Sequence, residues 1–427
     1  MSQTATESIR FAGDVNIRRL EVVSSANFKI DMTNQLIGME IYEDLFSPFI
    51  TMAITIRESQ DFINALPLRG EEIINLEVAT PTFSKDDQFF KGKYYLYKVS
   101  DRQLITERNA VYTMYCISYE ALVDLNTKQS KAYRGNIAET VKSLLQSDGL
   151  NTTKPVNIQA TKNATKHVSN FWSPVKNINF LATGALSTAG DASYLFFESR
   201  KGFNFVTLDS LYDQETFQKF IKDSYTRDTE GTTSYRNLNK DYQRILDFKV
   251  KVSFDALKFT NTGAYASRVY AYDMVKKKYF AKDYDALSTF PNNTHLNKNP
   301  LYTTMKPVSP VNVLFNEVRH YGSHDGFSDT SNVGFQQQRT SKLGLIRSCV
   351  VEINVFGRTD YTVGQKVYVE VPKPTVITEK DQASTDKTSG FIDVAYSGNY
   401  IVTAINHVIN RDSHTCILEL SKESMME

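Results

Sequence analysis

Cysteine is scarce in this chain: Cys116, Cys349 and Cys416 are the only three in 427 residues. So small and odd a number frames no disulfide-stapled fold. Cys349 and Cys416 stand inside β-branched and leucine runs, where a thiol serves as a small buried hydrophobe, and a reducing compartment fits. Net charge is lacking too. Against 49 Lys+Arg stand 48 Asp+Glu, a formal +1 without the basic excess of a dedicated nucleic-acid binder. No run approaches the roughly 18 apolar residues that would span a bilayer, so no membrane anchor is expected. The opening residues, Met1–Phe11, lack a basic segment followed by an apolar one, which excludes a secretory signal there. Tryptophan occurs once.

What is abundant points to strands. Hydrophobic residues at 41% with charged residues at 23% describe a folded chain, and the length suits about three domains. The 24 Tyr and 26 Phe favour pleated, half-buried surfaces and interfaces. Apolar residues alternate over 48–56 (Ile50, Met52, Ile54, Ile56), which predicts a strand with one buried face. Strands are also expected over 71–80, 93–100, 110–119, 193–199, 202–208 and 248–254, and near the C-terminus over 349–355, 367–371, 400–409 and 415–420. The period changes over 136–147, where Ile137, Val141, Leu144 and Leu145 share a helical face behind the cap Asn136. Ser173-Pro174 opens a second helix, whose stripe of Ile178, Leu181, Ala182, Ala185, Leu186 and Ala189 is expected to run to Gly190. Residues 292–302 and 321–332 read as loops.

The two ends share a layout. Each has a β run, a polar connection, a glycine-led strand ending at proline (Gly70 to Pro81; Gly364 to Pro372), and a hairpin. Each closes on a similar tetrad: Ile117-Ser118-Tyr119-Glu120 and Leu420-Ser421-Lys422-Glu423. Any two antiparallel β domains look alike at this level, yet order, turn residues and tetrad agree together. Gly70, Pro81, Ser118, Glu120, Gly364, Pro372, Ser421 and Glu423 are therefore taken as marks of a repeated module. A small closed barrel is its natural form, because closure removes exposed strand edges.

Catalytic signatures are missing. There is no Walker loop, GxSxG elbow, HExxH or CxxC; the nearest candidate for a phosphate loop, Gly184–Gly190, lacks the Lys-Ser/Thr and lies in a helical stripe. His320, His324 and Asp325 come closest to a metal set, against a solvated loop as the plainer reading. His414 and Cys416 share a strand face, where an imidazole could activate the thiol; ordinary sheet neighbours are the plainer reading. Adjacent carboxylates, Glu71-Glu72 and Asp86-Asp87, point to opposite faces of a strand. Lys276-Lys277-Lys278 reads as a solvated turn, and the N-x-S/T triplets at Asn151, Asn163 and Asn292 mean little without a secretory signal. No active site, cofactor or metal is expected.

Several segments taken in order carry a resemblance. Ile41-Tyr42-Glu43-Asp44-Leu45-Phe46-Ser47-Pro48, with Leu66-Pro67-Leu68-Arg69-Gly70-Glu71-Glu72, resembles the first tube domain of the baseplate central hub protein of contractile-tailed phages. Residues 130–135 and 194–205 are similar to that family's middle region. Tyr265-Ala266-Ser267-Arg268, Tyr272-Asp273 and 276–279 are similar to its insert, and Gly357-Arg358-Thr359-Asp360-Tyr361 with Gly364 to its second tube domain. Residues 84–88, 321–332 and 380–388 stand out as loop additions.

The resemblance implies a mainly β, α+β chain with two homologous tube barrels and two inserted α+β domains. Its expected divisions are 1–120 (first tube domain), 121–208 (α+β domain with two helices), 209–245 with 333–427 (second tube domain) and 246–332 (insert). It implies a homotrimer that presents six similar modules to a hexameric tail tube and three-fold symmetry to a central spike. A tape-measure protein is a further partner, and DNA passes through without specific binding. The expected location is the tail baseplate of a virion assembled in the host cytoplasm. Type VI secretion spikes carry a related ring fused to the spike; this sequence ends soon after the second tube segment, as in a separate hub. The alternatives are a tail-associated wall-degrading enzyme, which needs two carboxylates converging in a cleft, and the hub of a bacterial contractile injection particle.

Overall fold

The computed structural model describes residues 8–25, 27–59, 68–83, 85, 88–107, 109–222, 238–273, 277–302, 312–317, 334–374 and 392–426. His320, His324, Asp325, Asp86-Asp87 and Lys276, with 321–332 and 380–388, lie outside them.

The first strand set is β1 (Asn16–Val23), β2 (Lys29–Asp31), β3 (Leu36–Asp44), β4 (Thr51–Glu58), β5 (Ile73–Ala79), β6 (Phe90–Thr106) and β7 (Asn109–Ser118). In β4 the alternation becomes burial: Met52, Ile54 and Ile56 are buried while Thr51, Ala53 and Thr55 are half-exposed. The strands pair in the order β3–β4–β7–β6–β5–β1, all antiparallel. Leu20, Met39, Ile54, Leu76, Leu96 and Met114 meet in one core. Each such side chain contributes about 1.5–3 kcal/mol on leaving water.

A second region follows: α1 (Tyr119–Asn126), β8 (Ala132–Asn136), α2 (Ile137–Gln146), β9 (Val156–Ile158), β10 (Ala164–Val168), α3 (Pro174–Gly184), β11 (Tyr194–Ser199) and β12 (Gly202–Thr207). Asn136 caps α2, accepting from Ala138 N at 2.9 Å; Ser173 caps α3 in front of Pro174. The expected stripe stops early. α3 ends at Gly184 because Asn163 takes over its last partners: Nδ2 donates to Gly184 O (2.5 Å) and Oδ1 accepts from Leu186 N (2.9 Å). Ala185 is already extended and Ala189 is exposed.

The second set is β13 (Gln218–Ile221), β14 (Ile245–Val252), β19 (Cys349–Phe356), β20 (Lys366–Glu370), β21 (Gly398–Asn410) and β22 (His414–Lys422), with β15 (Ala266–Asp273), β16 (Lys278–Asp285), β17 (Asn299–Pro300) and β18 (Asn312–Glu317) intervening and β23 (Ser424–Met425) last. Its order is β14–β19–β22–β21–β20–β13, and the ends meet where Ile221 bridges Arg244. The division expected at 245/246 falls inside β14, which pairs with β19 along its length and so belongs to this set. β15 lies between β16 and β18 in a separate small sheet, followed by the helix Gln336–Leu345. The molecule is mainly β with helices added. No helix among the described residues is long and apolar enough to cross a membrane.

The two sets share a seam. β21 pairs antiparallel with β3, from Ala404 opposite Asp44 to Asn410 opposite Gly38, and so merges them into one 13-stranded sheet.

Candidate assembly surface

The pairing registers of the two sets correspond over much of their length, with extra irregularities in β6 after Ser100 and Leu104 and in β14 at Lys251. β6 bulges at Tyr97 against β7, and β21 bulges at Thr403 against β22. β3 bulges at Ile37 against β4, and β14 at Leu246 against β19. Leu96 N donates to Glu72 O, and its counterpart Val402 N to Gln365 O, both at 3.0 Å. Even the turn before each strand is held alike. The Glu72 carboxylate accepts from Arg69 N, Gly70 N and Glu71 N at 2.9–3.1 Å, and Gln365 Oε1 accepts from Thr362 N at 3.0 Å. Gly70 (φ 84°) and Gly364 (φ 81°) sit in those turns in the left-handed region, which is why glycine stands at each, but they are one residue out of step: Gly70 stands two residues before Glu72 and Gly364 one before Gln365.

The remaining sequence marks fall as follows. Pro81 turns the chain after β5, and Pro372 bridges Ile392 after β20. Ser118 N donates to Ile50 O (3.0 Å), while Lys422 lies opposite Cys349, the counterpart of Ile50. The registers therefore set Ser118 against Lys422, one residue out of step with the tetrads, so Ser421 matches Ile117. Glu120 and Glu423 are both buried and both reach a neighbouring region. Glu120 accepts from Thr152 Oγ1 (2.7 Å) and Lys154 Nζ (2.6 Å); Glu423 accepts from Leu296 N (2.9 Å) beside His295.

Applying the β21–β3 seam to the other set locates its two counterparts. By pairing, the stretch of β21 that meets β3 corresponds to Lys98–Thr106 on β6, and the stretch of β3 to 247–254 at β14. β5 covers β6 only from Phe90 to Tyr95. Among the described residues, no strand pairs with the outer edge of β6 beyond it, nor with the outer edge of β14 after Arg244. Tyr97, Val99, Leu104 and Ile105 on that part of β6 are exposed, Leu104 by 75%. An unpaired edge carrying exposed apolar side chains is a template for another chain. The sequence could not show these edges, because an edge is defined by what fails to pair.

Two lysines clamp carboxylate pairs. Lys154 Nζ lies 2.6 Å from both Glu120 and Glu198, and Glu198 also accepts from Ile50 N, tying the second region to β4. Burial raises the Glu198 carboxyl despite the ammonium beside it. Lys342, on the helix Gln336–Leu345, meets Asp191 (3.1 Å) and Asp209 (2.7 Å). Burial and the neighbouring Asp191 carry the Asp209 carboxyl up to about 6.

Glu120 and Glu198 line a cleft of about 1160 Å³, the nearest approach to a paired-carboxylate site. The Lys154 ammonium stands between them, where a scissile glycosidic oxygen would have to sit, and Glu198 is spent on the Ile50 amide. Glu71-Glu72 are likewise not an acid/base pair, because Glu72 is buried on its turn. His414 and Cys416 do share a face, and the sequence missed the third member, His407, opposite Cys416 on β21. His407 Nδ1, His414 Nε2 and Cys416 Sγ converge at 3.0–3.4 Å, and all three residues are buried.

No family model matches the chain. A probable baseplate hub protein, gp334 of Vibrio phage KVP40, is 22% identical over 422 residues, covering 94% of this chain and 93% of that protein. The tail protein from Neisseria meningitidis MC58 superposes with a TM-score of 0.53 at 8% identity, over 95% of this chain and 96% of that one. The 43 kDa tail protein of prophage MuSo2 from Shewanella oneidensis gives 0.50 at 6% identity, over 95% and 98%. The fold is that of phage and prophage tail proteins. The resemblance to the baseplate hub family is upheld by a relative that matches along nearly the whole chain.

Proposed function

We propose that the chain is the structural hub of a contractile tail baseplate, a homotrimer that joins a hexameric tail tube to a trimeric central spike. The observation that carries this reading is the pair of unpaired edges, β6 beyond Tyr97 and β14, which are the register counterparts of the two edges already joined within the chain. Pairing β6 of one copy with β14 of the next repeats the internal seam between subunits. Three copies then close a ring of six similar modules by a heterologous, cyclic contact. Each strand set is a small barrel: one spans 8–118, the other 216–252 with 349–426. Residues 119–212 and 255–345 form the inserted regions that keep true three-fold symmetry toward the spike. The protein is a virion component of the tail and catalyses no reaction.

The face of the joined sheet turned away from both cores is the channel wall. One row across it reads Asp44, Ala404, Glu419, Glu352 and Lys249; another reads Thr415, Val408, Glu40, Ala53 and Tyr115. Lys251 is neutralised by Glu352 (2.6 Å) and Glu419 (3.1 Å). Such a wall offers DNA phosphates little to hold, so a duplex passes without stalling. A tape-measure protein occupies the same channel before ejection.

The test is a cross-link. Extending the seam register puts Ser100 of one copy opposite Val252 of the next, and the native cysteines are all buried. The double variant Ser100→Cys/Val252→Cys should oxidise to a covalent species three times 48.5 kDa, and either single variant should not. Light scattering on the unmodified protein should give the same trimer, alone or once spike partner is added. A stable dimer under both conditions, or cross-linking to some other mass, sinks the reading.

A further inference from the structure

We propose that His407, His414 and Cys416 form a buried site for one zinc ion per chain. The site is built by the β21–β22 hairpin. His407 and Cys416 are directly opposed, as are Ile409 and His414, so all three side chains share the inward face. His407 Nδ1 is 3.0 Å from His414 Nε2 and 3.2 Å from Cys416 Sγ, which is 3.4 Å from His414 Nε2. Zinc bonds of about 2.0–2.1 Å to nitrogen and about 2.3 Å to sulfur imply ligand–ligand edges of roughly 3.3–3.6 Å in a tetrahedron. The observed triangle is within a few tenths of an ångström of one such face. Two imidazoles and a thiolate also suit this borderline-soft cation.

The outer ring nitrogens supply an independent observation. His407 Nε2 and His414 Nδ1 are buried and have no hydrogen-bond partner. Were the neutral rings joined by hydrogen bonds alone, their mutual contact would take at least one N–H into the triangle and leave that ring's outer nitrogen a bare acceptor in the core. With an ion at the centre, the inner nitrogens are ligands and the outer ones carry the protons. His407 Nε2 then points at Glu43 Oε1, 3.7 Å away, itself buried and unpartnered. A carboxylate behind a ligating histidine is the usual support of a zinc site. The His414 ring is fixed by Gly357, where a Cβ would come within 2.3 Å of it. Among the described residues no fourth His, Cys, Asp or Glu joins the set, so a water or small anion completes the tetrahedron. The ion would pin the hairpin that carries the seam with β3, since His407 is opposite Ile41.

The experiment uses the full-length protein and two probes. After equilibration with zinc and desalting, elemental analysis should find one zinc per chain. Exchange into cobalt(II) should produce a thiolate-to-cobalt charge-transfer band in the near ultraviolet with tetrahedral d–d absorption. Cys416→Ser should abolish the charge-transfer band, and Cys116→Ser, at a buried thiol elsewhere, should keep it. A zinc content no higher than the buffer blank, or a band that survives Cys416→Ser, overturns the proposal. Should Cys416→Ser fail to fold by circular dichroism, the unmodified protein still decides: no charge-transfer band with cobalt means no thiolate site.

Discussion

The two strand sets have the same pairing order, share two bulges and each hold the turn before a strand with a side chain, yet they differ at both margins. In the first, β1 runs antiparallel to β5 and brings Leu20 opposite Leu76; in the second, β13 runs parallel to β20 and brings Phe220 to Val369, the counterpart of Leu76. Both incoming side chains are fully buried. One slot beside the same strand is therefore filled from opposite chain directions, which says that the core asks for an apolar side chain there and is indifferent to connectivity. The other margin differs in environment. The distal part of β21 is covered by β3, and its residues His407 and Ile409 are buried; the distal part of β6 has no such cover and exposes Leu104 and Ile105. Where the second set buries His414 and Cys416, the first has Ala110 and Tyr112. The shared pairing order sets the frame, and the neighbours decide the residues.

The largest expected effect concerns the two lysine clamps. Removing one partner of a buried ion pair typically costs about 3–5 kcal/mol, because the remaining charge is left without compensation. Lys154→Met strands Glu198, 1% exposed, and should lose stability in that range. Lys342→Met should lose less. Asp191 keeps the amide and hydroxyl of Ser193 (3.1 and 2.6 Å), and Asp209 is readily protonated. Urea midpoints at neutral pH check both; equal losses would mean that the junctions on the two sides of the second region are equivalent.

Much of this frame was legible in the residues. The alternation of β4, the glycine turns and the two hairpins lie where periodicity sets them, since one buried face imposes period two on any strand. The caps Asn136 and Ser173 were legible for the same local reason. What could not be read depends on distant partners. Asn163 ends α3 from across the fold, and β14 is claimed by β19 about a hundred residues later. The tetrads misled by one residue because Ser118 and Ser421 look alike in text while pairing sets the register. His407 escaped notice because nothing in sequence shows that it faces Cys416 across a hairpin.

A pH profile sharpens the clamp comparison. Asp209 titrates at about 6 in the fold against an ordinary 3.8, so between those values the native state holds a proton that the unfolded chain has lost. Its contribution to stability therefore falls as pH rises from about 4 through 6, by up to about 3 kcal/mol, and levels above that. Asp209→Asn should remove this slope, measured as the difference in urea midpoint between variant and parent at each pH. An unchanged difference from pH 4 to 7 would show that the carboxyl is not held up by burial.

The next contrast is between the two held turns. Glu72 compensates three backbone N–H groups as a buried carboxylate, whereas Gln365 accepts from one and donates to Asp360 O. Hydrogen bonds to a charged group are worth about 1.5–3 kcal/mol and neutral ones about 0.5–1.5. Glu72→Ala should accordingly cost about 2–3 kcal/mol and Gln365→Ala about 1, read from denaturation midpoints; the reverse order would mean that the matching turns are not carried by these side chains.

The smallest expected effect tests whether the turns are alike in backbone as well as in support. Gly70 and Gly364 both hold a left-handed conformation, which costs an L residue about 1–2 kcal/mol. Around Gly70 the nearest atom to an added Cβ is Leu96 O at 3.8 Å, ordinary contact, so Gly70→Ala should lose only the backbone cost. At Gly364 the same Cβ meets Phe197 at 3.4 Å and Leu211 at 3.5 Å, close packing without overlap. Gly364→Ala should lose the same amount or slightly more, because any added crowding falls on an aromatic ring set in the core that joins the second set to the second region. Matching losses within a few tenths of a kcal/mol would place both turns under one backbone constraint; a near-zero loss at either position would show that its positive φ relaxes in solution and that the glycine stands there for another reason.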